Sequence, residues 1–221
     1  MKAYCGLMNR KEPLFNFARR GYHHGRLKDA LIEAARCLVA ERGPAGFTLA
    51  EAAKLVGVTA AAPYRHFADR NELMGELARR GFALFGERLA NAWDEGRPDP
   101  LQAFRRMGAA YLAFARAEPG LYAAMFGQLK CGPLAEAIGD KALETLEWAA
   151  RAILAQSGAE TSRIHAAAHE LAYEIWSLSH GVAMLSLAGH FGAAGGPDPA
   201  TIMEKGAAAL TETAIRRLRG S

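Results

Sequence analysis

The side chains able to do chemistry are unevenly spread along this 221-residue chain. His165-Ala-Ala-Ala-His169 sets two imidazoles one helical turn apart, as a metal site requires. Neither the glutamate of a metalloprotease motif nor a third ligand at obvious spacing accompanies them, so no metal is expected. Cys5, Cys37 and Cys131 are odd in number and lack metal-ligand spacing, which argues against a disulfide framework and for reduced thiols. Gly-rich phosphate loops, nucleophile elbows and paired catalytic carboxylates are all missing; an enzyme would rest on the isolated His165, His169 or His180. Neither an enzyme nor a cofactor is expected. The densest set lies between Thr48 and Arg70, where helix starts at Thr48, Thr59 and Asp69 present free backbone amides and positive dipole ends suited to phosphate oxygens.

Helices must position these groups, because the helix formers alanine, leucine, glutamate and arginine are abundant and β-branched residues never alternate over a strand length. An all-α fold follows. Leu27, Leu31, Ala34, Ala35, Leu38 and Val39 recur at three- and four-residue spacing and define a first helix that Gly43-Pro44 stops. Thr48-Leu-Ala-Glu51 reads as a capping box that opens a second helix ending at Gly57. Thr59 can cap a short third helix running to about Phe67, and Asp69-Arg-Asn-Glu72 repeats the capping logic for a longer fourth. Pro63 falls about four residues after Thr59, where its missing amide hydrogen is expected to cost little and leave a well-formed helix. Further helices are expected from Pro98–Pro100 to Ala117, from Pro119 through Phe126, and over roughly 134–156, 161–190 and 198–219.

The formal charge of +4 is asymmetric: residues 1–80 hold 14 Lys/Arg against 8 Asp/Glu, and residues 81–221 hold 13 against 15. A basic excess confined to a small module is the electrostatic footprint of a phosphate-binding surface, although basic segments also occur as ordinary solvated surface. The expected organisation is a flexible basic arm over residues 1–22, a helix-turn-helix domain over 23–72, and a larger domain over 73–221. Met8 is an alternative start. No apolar run is long enough for a membrane span and the first residues lack a signal peptide's apolar stretch, so a cytoplasmic protein with no membrane partner is expected.

A helix, a short glycine-containing turn and a second helix let the second helix lie in a major groove while the first braces against the backbone. Thr48–Val56 and Thr59–Phe67 have that layout. The run Phe47-Thr-Leu-Ala-Glu-Ala-Ala-Lys-Leu-Val-Gly-Val-Thr-Ala-Ala-Ala-Pro-Tyr-Arg-His-Phe-Ala-Asp-Arg-Asn-Glu-Leu73, within a match from Leu27 to Leu73, closely resembles the DNA-binding signature of the TetR family of bacterial repressors. That resemblance implies phosphate contacts at Thr48, Tyr64, His66 and Arg70, and base-facing positions at Ala50, Thr59, Ala60 and Ala61. It also implies that Gly57 is the turn glycine and Phe67 an aromatic core plug. For Tyr64 and His66 a packed, hydrogen-bonded pair is the competing reading. The chain departs from the family pattern at Pro63, where an aliphatic residue is usual, and at Arg70, where lysine is usual. Ala60, Ala61 and Ala62 offer no hydrogen-bonding groups, so Thr59, Arg65 and Lys54 are left to contact bases and direct readout is expected to be thin. Half-site spacing, DNA shape and an Arg19-Arg20 arm in the minor groove are expected to supply the remaining specificity.

In the larger domain Leu171, Ile175, Leu178, Val182 and Leu185 form one helical stripe, with His169, Tyr173, Trp176 and His180 on the opposite one. A helix apolar on two faces is buried on two sides, and a homodimer through this helix and the last one fits a palindromic double-stranded DNA operator. Trp176-Ser-Leu-Ser-His180-Gly181 resembles the tryptophan and His-Gly signature of the sensor domain in one TetR subgroup, and Gly206-Ala-Ala-Ala209 is small enough for close helix approach. Tyr173, Trp176 and His180, with Phe104, Met107, Tyr111, Tyr122, Met125, Phe126 and Trp148, are candidates to line a small-molecule inducer cavity, ordinary core packing being the alternative. The expected function is a repressor released from its operator by an inducer; the alternative is a small-molecule or metal-binding sensor module without DNA binding.

Overall fold

The computed structural model describes residues 24–127, 133–191 and 196–220. The basic arm expected at residues 1–22, together with Cys5 and Cys131, lies outside the described residues. Among the described residues the chain forms helices α1 (His24–Arg42), α2 (Leu49–Val56), α3 (Arg70–Trp93), α4 (Pro100–Ala117), α5 (Pro119–Phe126), α6 (Pro133–Leu154), α7 (Thr161–Leu187) and α8 (Pro199–Arg219), with short 3-10 turns between some of them. Two compact units result, one within Met1–Ala83 and Ala117–Ile138, the other within Leu84–Arg116 and Gly139–Ser221. The unit that carries the helix-turn-helix therefore reaches past residue 72 and takes in α5.

In the first unit the three-four spacing of α1 buries Leu27, Leu31, Ala34, Ala35, Leu38 and Val39. Both α2 and α5 pack on α1. Helix α2 turns Leu49, Ala52, Ala53 and Val56 inward, the i, i+3, i+4, i+7 pattern of an amphipathic helix. Helix α5 comes closest at Gly120, where a Cβ atom would stand 2.1 Å from the carbonyl oxygen of Arg36, so only glycine fits. Beside it the Arg36 guanidinium bridges Glu33 of its own helix and Glu118 at the mouth of α5, the latter at 3.3 Å. That double engagement holds the Arg36 proton more firmly than usual, the Glu33 hydrogen bond being the main cause.

In the second unit α7 and α8 pack along one another. The core gathers Phe85, Leu89, Phe104, Met107, Tyr111, Phe114, Leu146, Ile175 and Met203. Phe85 meets Tyr111 edge to face, with ring centroids 5.0 Å apart. Of the stripe expected on α7, Leu171, Ile175 and Val182 are buried while Leu185 is exposed. Gly206 of α8 does lie close to α7, a Cβ there standing 2.7 Å from Leu178 Cδ2. Helix α7 stops at Leu187, short of the expected 190, because Gly189 adopts a left-handed φ of +80° and His190 N–H bonds back to the Leu185 carbonyl at 3.0 Å.

Candidate nucleic-acid interface

The first half of the helix-turn-helix is locked at both ends. Thr48 is extended, with φ −119° and ψ 160°; its Oγ1 accepts from Glu51 N–H at 3.2 Å and its own N–H donates to Glu51 Oε2 at 2.8 Å. Arg42 reaches over from α1 to the same carboxylate at 2.7 Å. That hydrogen bond is the main reason the Glu51 carboxyl sits below the ordinary carboxylate range, with the Thr48 bonds adding to it. At the other end Gly57 takes φ +80°, its N–H bonds to the Lys54 carbonyl at 3.1 Å, and Val58 N–H bonds to the Ala53 carbonyl at 3.0 Å. This Schellman closure satisfies the last carbonyls of α2 and reverses the chain.

The second half differs from the expectation of a helix capped by Thr59 and running to Phe67. Ala62–Arg65 form a single 3-10 turn whose capping residue is Ala61, and no side chain caps it. Pro63 explains the difference. In an α-helix capped by Thr59, the Thr59 carbonyl would accept from the amide of residue 63, which proline lacks. That carbonyl instead accepts from Ala62 N–H at 3.0 Å, an i to i−3 bond, and the tighter winding follows. His66 and Phe67 N–H both then close on the Pro63 carbonyl, at 2.9 and 3.0 Å.

Two aromatic rings anchor this turn. Phe67 is buried and lies beneath the Lys28 ammonium, 5.7 Å from the ring centroid, while Phe47 carries the Arg70 guanidinium 4.9 Å above its face. The Nε and Nη2 of Arg70 are shut from solvent without a hydrogen-bond partner, so the ring face is what receives its charge. The expected capping box at Asp69 appears with a shifted partner. Asp69 Oδ1 accepts from Glu72 N–H at 2.9 Å, but Glu72 Oε2 accepts from Ala68 N–H at 2.5 Å. Of the ten residues expected to meet DNA, Thr48, Ala50, Lys54, Thr59, Ala60, Ala61, Tyr64 and Arg65 are exposed, with Tyr64 at 61%, and His66 and Arg70 are half-buried. Pro63, Phe67 and Phe47 form the inward side.

The residues expected around an inducer separate. Phe104, Met107 and Tyr111 do line a cavity in the second unit, together with Ile175 and Ser179 of α7. Trp148 and Tyr173 are surface residues, 68% and 46% exposed, and Trp176 and His180 are half-buried but outside that wall. The cavity meets α7 on the face of Ile175 and Ser179, so the aromatic stripe is turned from it. Tyr122, Met125 and Phe126 belong to the first unit, where Tyr122 packs on Phe126 at 4.8 Å and Phe82 meets Phe126 edge to face at 5.5 Å. Ser179 and Met203 were not anticipated. Counting four from Ile175 on the buried stripe would have found Ser179. His165 and His169 are exposed, and His169 Nδ1 lies 3.4 Å from Glu147 Oε2. Among the described residues no three His, Cys, Asp or Glu side chains converge as a metal site, and no helix is long and apolar enough to cross a membrane.

Comparison with known proteins agrees with this geometry. Residues 31–77 match the family described as bacterial regulatory proteins of the tetR family, and residues 104–210 match the Tetracyclin repressor-like C-terminal domain. A protein of unknown function from Rhodococcus sp. RHA1 is similar in structure, with a TM-score of 0.69 and 26% identity over 90% of this chain and 99% of that one. The TetR family transcriptional regulator PfmR from Thermus thermophilus shares the fold at a TM-score of 0.59 and 20% identity, over 84% of this chain and 97% of its own. So does the fatty acid degradation regulator FadR from Bacillus halodurans, at 0.66 and 14%, over 86% and 96%. No curated protein matches the chain. With the family's DNA-binding model matched over residues 31–77 and its repressor-like domain over residues 104–210, the chain belongs to the TetR family of DNA-binding transcriptional regulators, which are regulators and not enzymes.

Proposed function

We propose that the protein is a homodimeric repressor that occupies a palindromic operator and leaves it when a small molecule binds the second unit. The observation that carries the reading is the locked turn from Gly57 to Asp69: a short element held by two capped helices and two buried rings, with Thr59, Ala60, Ala61, Tyr64 and Arg65 all outward. On DNA the helix starts at Thr48 and Asp69, with Tyr64, His66 and Arg70, engage phosphates. Thr59, Arg65 and Lys54 reach base edges, and the alanine methyls of Ala50, Ala60 and Ala61 meet thymine methyls. So few hydrogen-bonding groups face the bases that half-site spacing, DNA shape and minor-groove contacts from Arg19 and Arg20 supply much of the selectivity.

Dimerisation through α7 and α8 is supported by the apolar side chains that α7 leaves exposed, Met184, Leu185 and Leu187, which a second copy would cover. Release is supported by α5, which follows α4 directly and is wedged on α1 at Gly120. A shift of α5 on ligand binding moves α1 and with it the recognition turn, taking the two half-site readers away from one helical turn of about 34–36 Å. The ligand must prefer the DNA-incompetent state for this to work. A mobility-shift titration with the DNA flanking the protein's own gene tests the reading. Selective binding that weakens steeply with salt is expected, and equal affinity for unrelated duplex contradicts it.

A further inference from the structure

The second unit holds a cavity of about 180 Å³, partly open to solvent, between α4, α6, α7, α8 and the end of α3. Its wall is carried by Leu89, Phe104, Met107, Leu112, Leu146 and Ile175. The hydroxyl groups on that wall are already engaged. Ser179 Oγ donates to Met203 Sδ at 3.2 Å, Thr211 Oγ1 donates to the Ala207 carbonyl at 2.8 Å, and the Tyr111 hydroxyl lies 3.5 Å from His180 Nδ1. Burial pushes the His180 imidazole below its usual range and favours its neutral form. Two ionised side chains reach the wall, Arg105 and Glu204, and they face each other at 3.6 Å with 53% and 57% of their side chains exposed. They stand at the solvent edge and cancel one another, so a charge carried inside finds no uncommitted counter-charge and bears its desolvation alone.

We infer that this cavity takes an uncharged, predominantly apolar molecule of about one aromatic ring, and that the Arg105–Glu204 pair at its edge disfavours ionised analogues of the same size. The size follows from comparison with apolar cavities of about 150 Å³, which hold benzene. The effect of such a ligand on DNA rests on the reading of the second unit as a sensor; its binding does not.

The test is calorimetric titration of the full chain with toluene, benzoate and benzylammonium in the absence of DNA. Toluene is expected to bind saturably and about tenfold or more tightly than either ion. Glu204→Gln leaves Arg105 uncompensated and raises benzoate affinity; Arg105→Gln does the same for benzylammonium. Gly108→Leu abolishes toluene binding, since a Cβ there meets Met203 Cγ at 3.4 Å, ordinary contact, and the remaining side chain fills the cavity. Ala207→Phe serves if that variant does not fold. Absence of saturable toluene binding, an ion binding as tightly as toluene, or unchanged toluene binding in a folded cavity-filling variant overturns the inference. Operator release is scored separately. Toluene binding without release supports the cavity assignment and contradicts the inducer reading, and a protein that binds toluene but no DNA does the same for the operator reading.

Discussion

Gly57 ends α2 in a conformation that L side chains avoid, and Gly57→Ala therefore strains the turn by about 1–2 kcal/mol. A thermal melt is expected to show the loss, and an unchanged midpoint would mean that the turn relaxes freely. Under the proposed function Arg70 would act on DNA through its charge, since it rests on Phe47 with Nε and Nη2 buried and unpartnered. Arg70→Gln is expected to weaken binding to all duplexes alike and to reduce the salt slope by about one phosphate contact; a change confined to one base position would make it a base reader instead. Acid stability also turns on single residues. The Glu76 carboxyl is pulled from 4.5 down to about 2, chiefly by the Arg79 hydrogen bond and then by Arg80. Because the folded-state value is the lower one, the stabilisation is complete above the ordinary carboxylate range and disappears as pH falls towards 2. Urea midpoints should drop across that window, and Glu76→Gln should flatten the drop.

At the scale of elements, most of the fold was legible because helix starts and stops are written in short-range chemistry. The capping box at Thr48, the glycine at 57 and the prolines that open α4, α5 and α8 stand where local hydrogen bonding requires them. At the recognition turn the structure departs from the expected α-helix by one bond. Pro63 occupies the position whose amide would close the first α-helical turn after Thr59, not a position before it, and the chain winds as 3-10 instead. The cavity-lining residues were less legible, because Tyr173, Trp176 and His180 share a face that periodicity marks as apolar without saying which neighbour meets it. Nor does local sequence reveal that α5 belongs with α1, since the two are far apart in the chain and the pairing depends on a glycine beneath a carbonyl. Gly120→Ala places a methyl group 2.1 Å from the Arg36 oxygen, which must force the two helices apart. A destabilisation of about 1–3 kcal/mol is expected, together with altered operator affinity. Wild-type operator binding in a folded Gly120→Ala protein would remove this contact from the proposed release mechanism.

For the molecule as a whole, the proposed function requires that a recognition turn with few base-reading groups be selective only when two of them are placed at once. Linking two weak contacts raises their combined affinity without new chemistry, but only when geometry lets both engage. Under the proposed function the same requirement would make the protein releasable, since a small change of spacing disengages one half-site. It also predicts that the DNA-binding surface is insensitive to many single base changes and sensitive to the distance between half-sites. The most direct measurement is a titration of the full chain against a selected operator duplex and against the same duplex with about five base pairs, half a helical turn, inserted between its half-sites. Two chains per intact site and a loss of affinity of about a hundredfold or more on insertion are expected. One chain per site, or equal affinity for the two duplexes, would contradict the account.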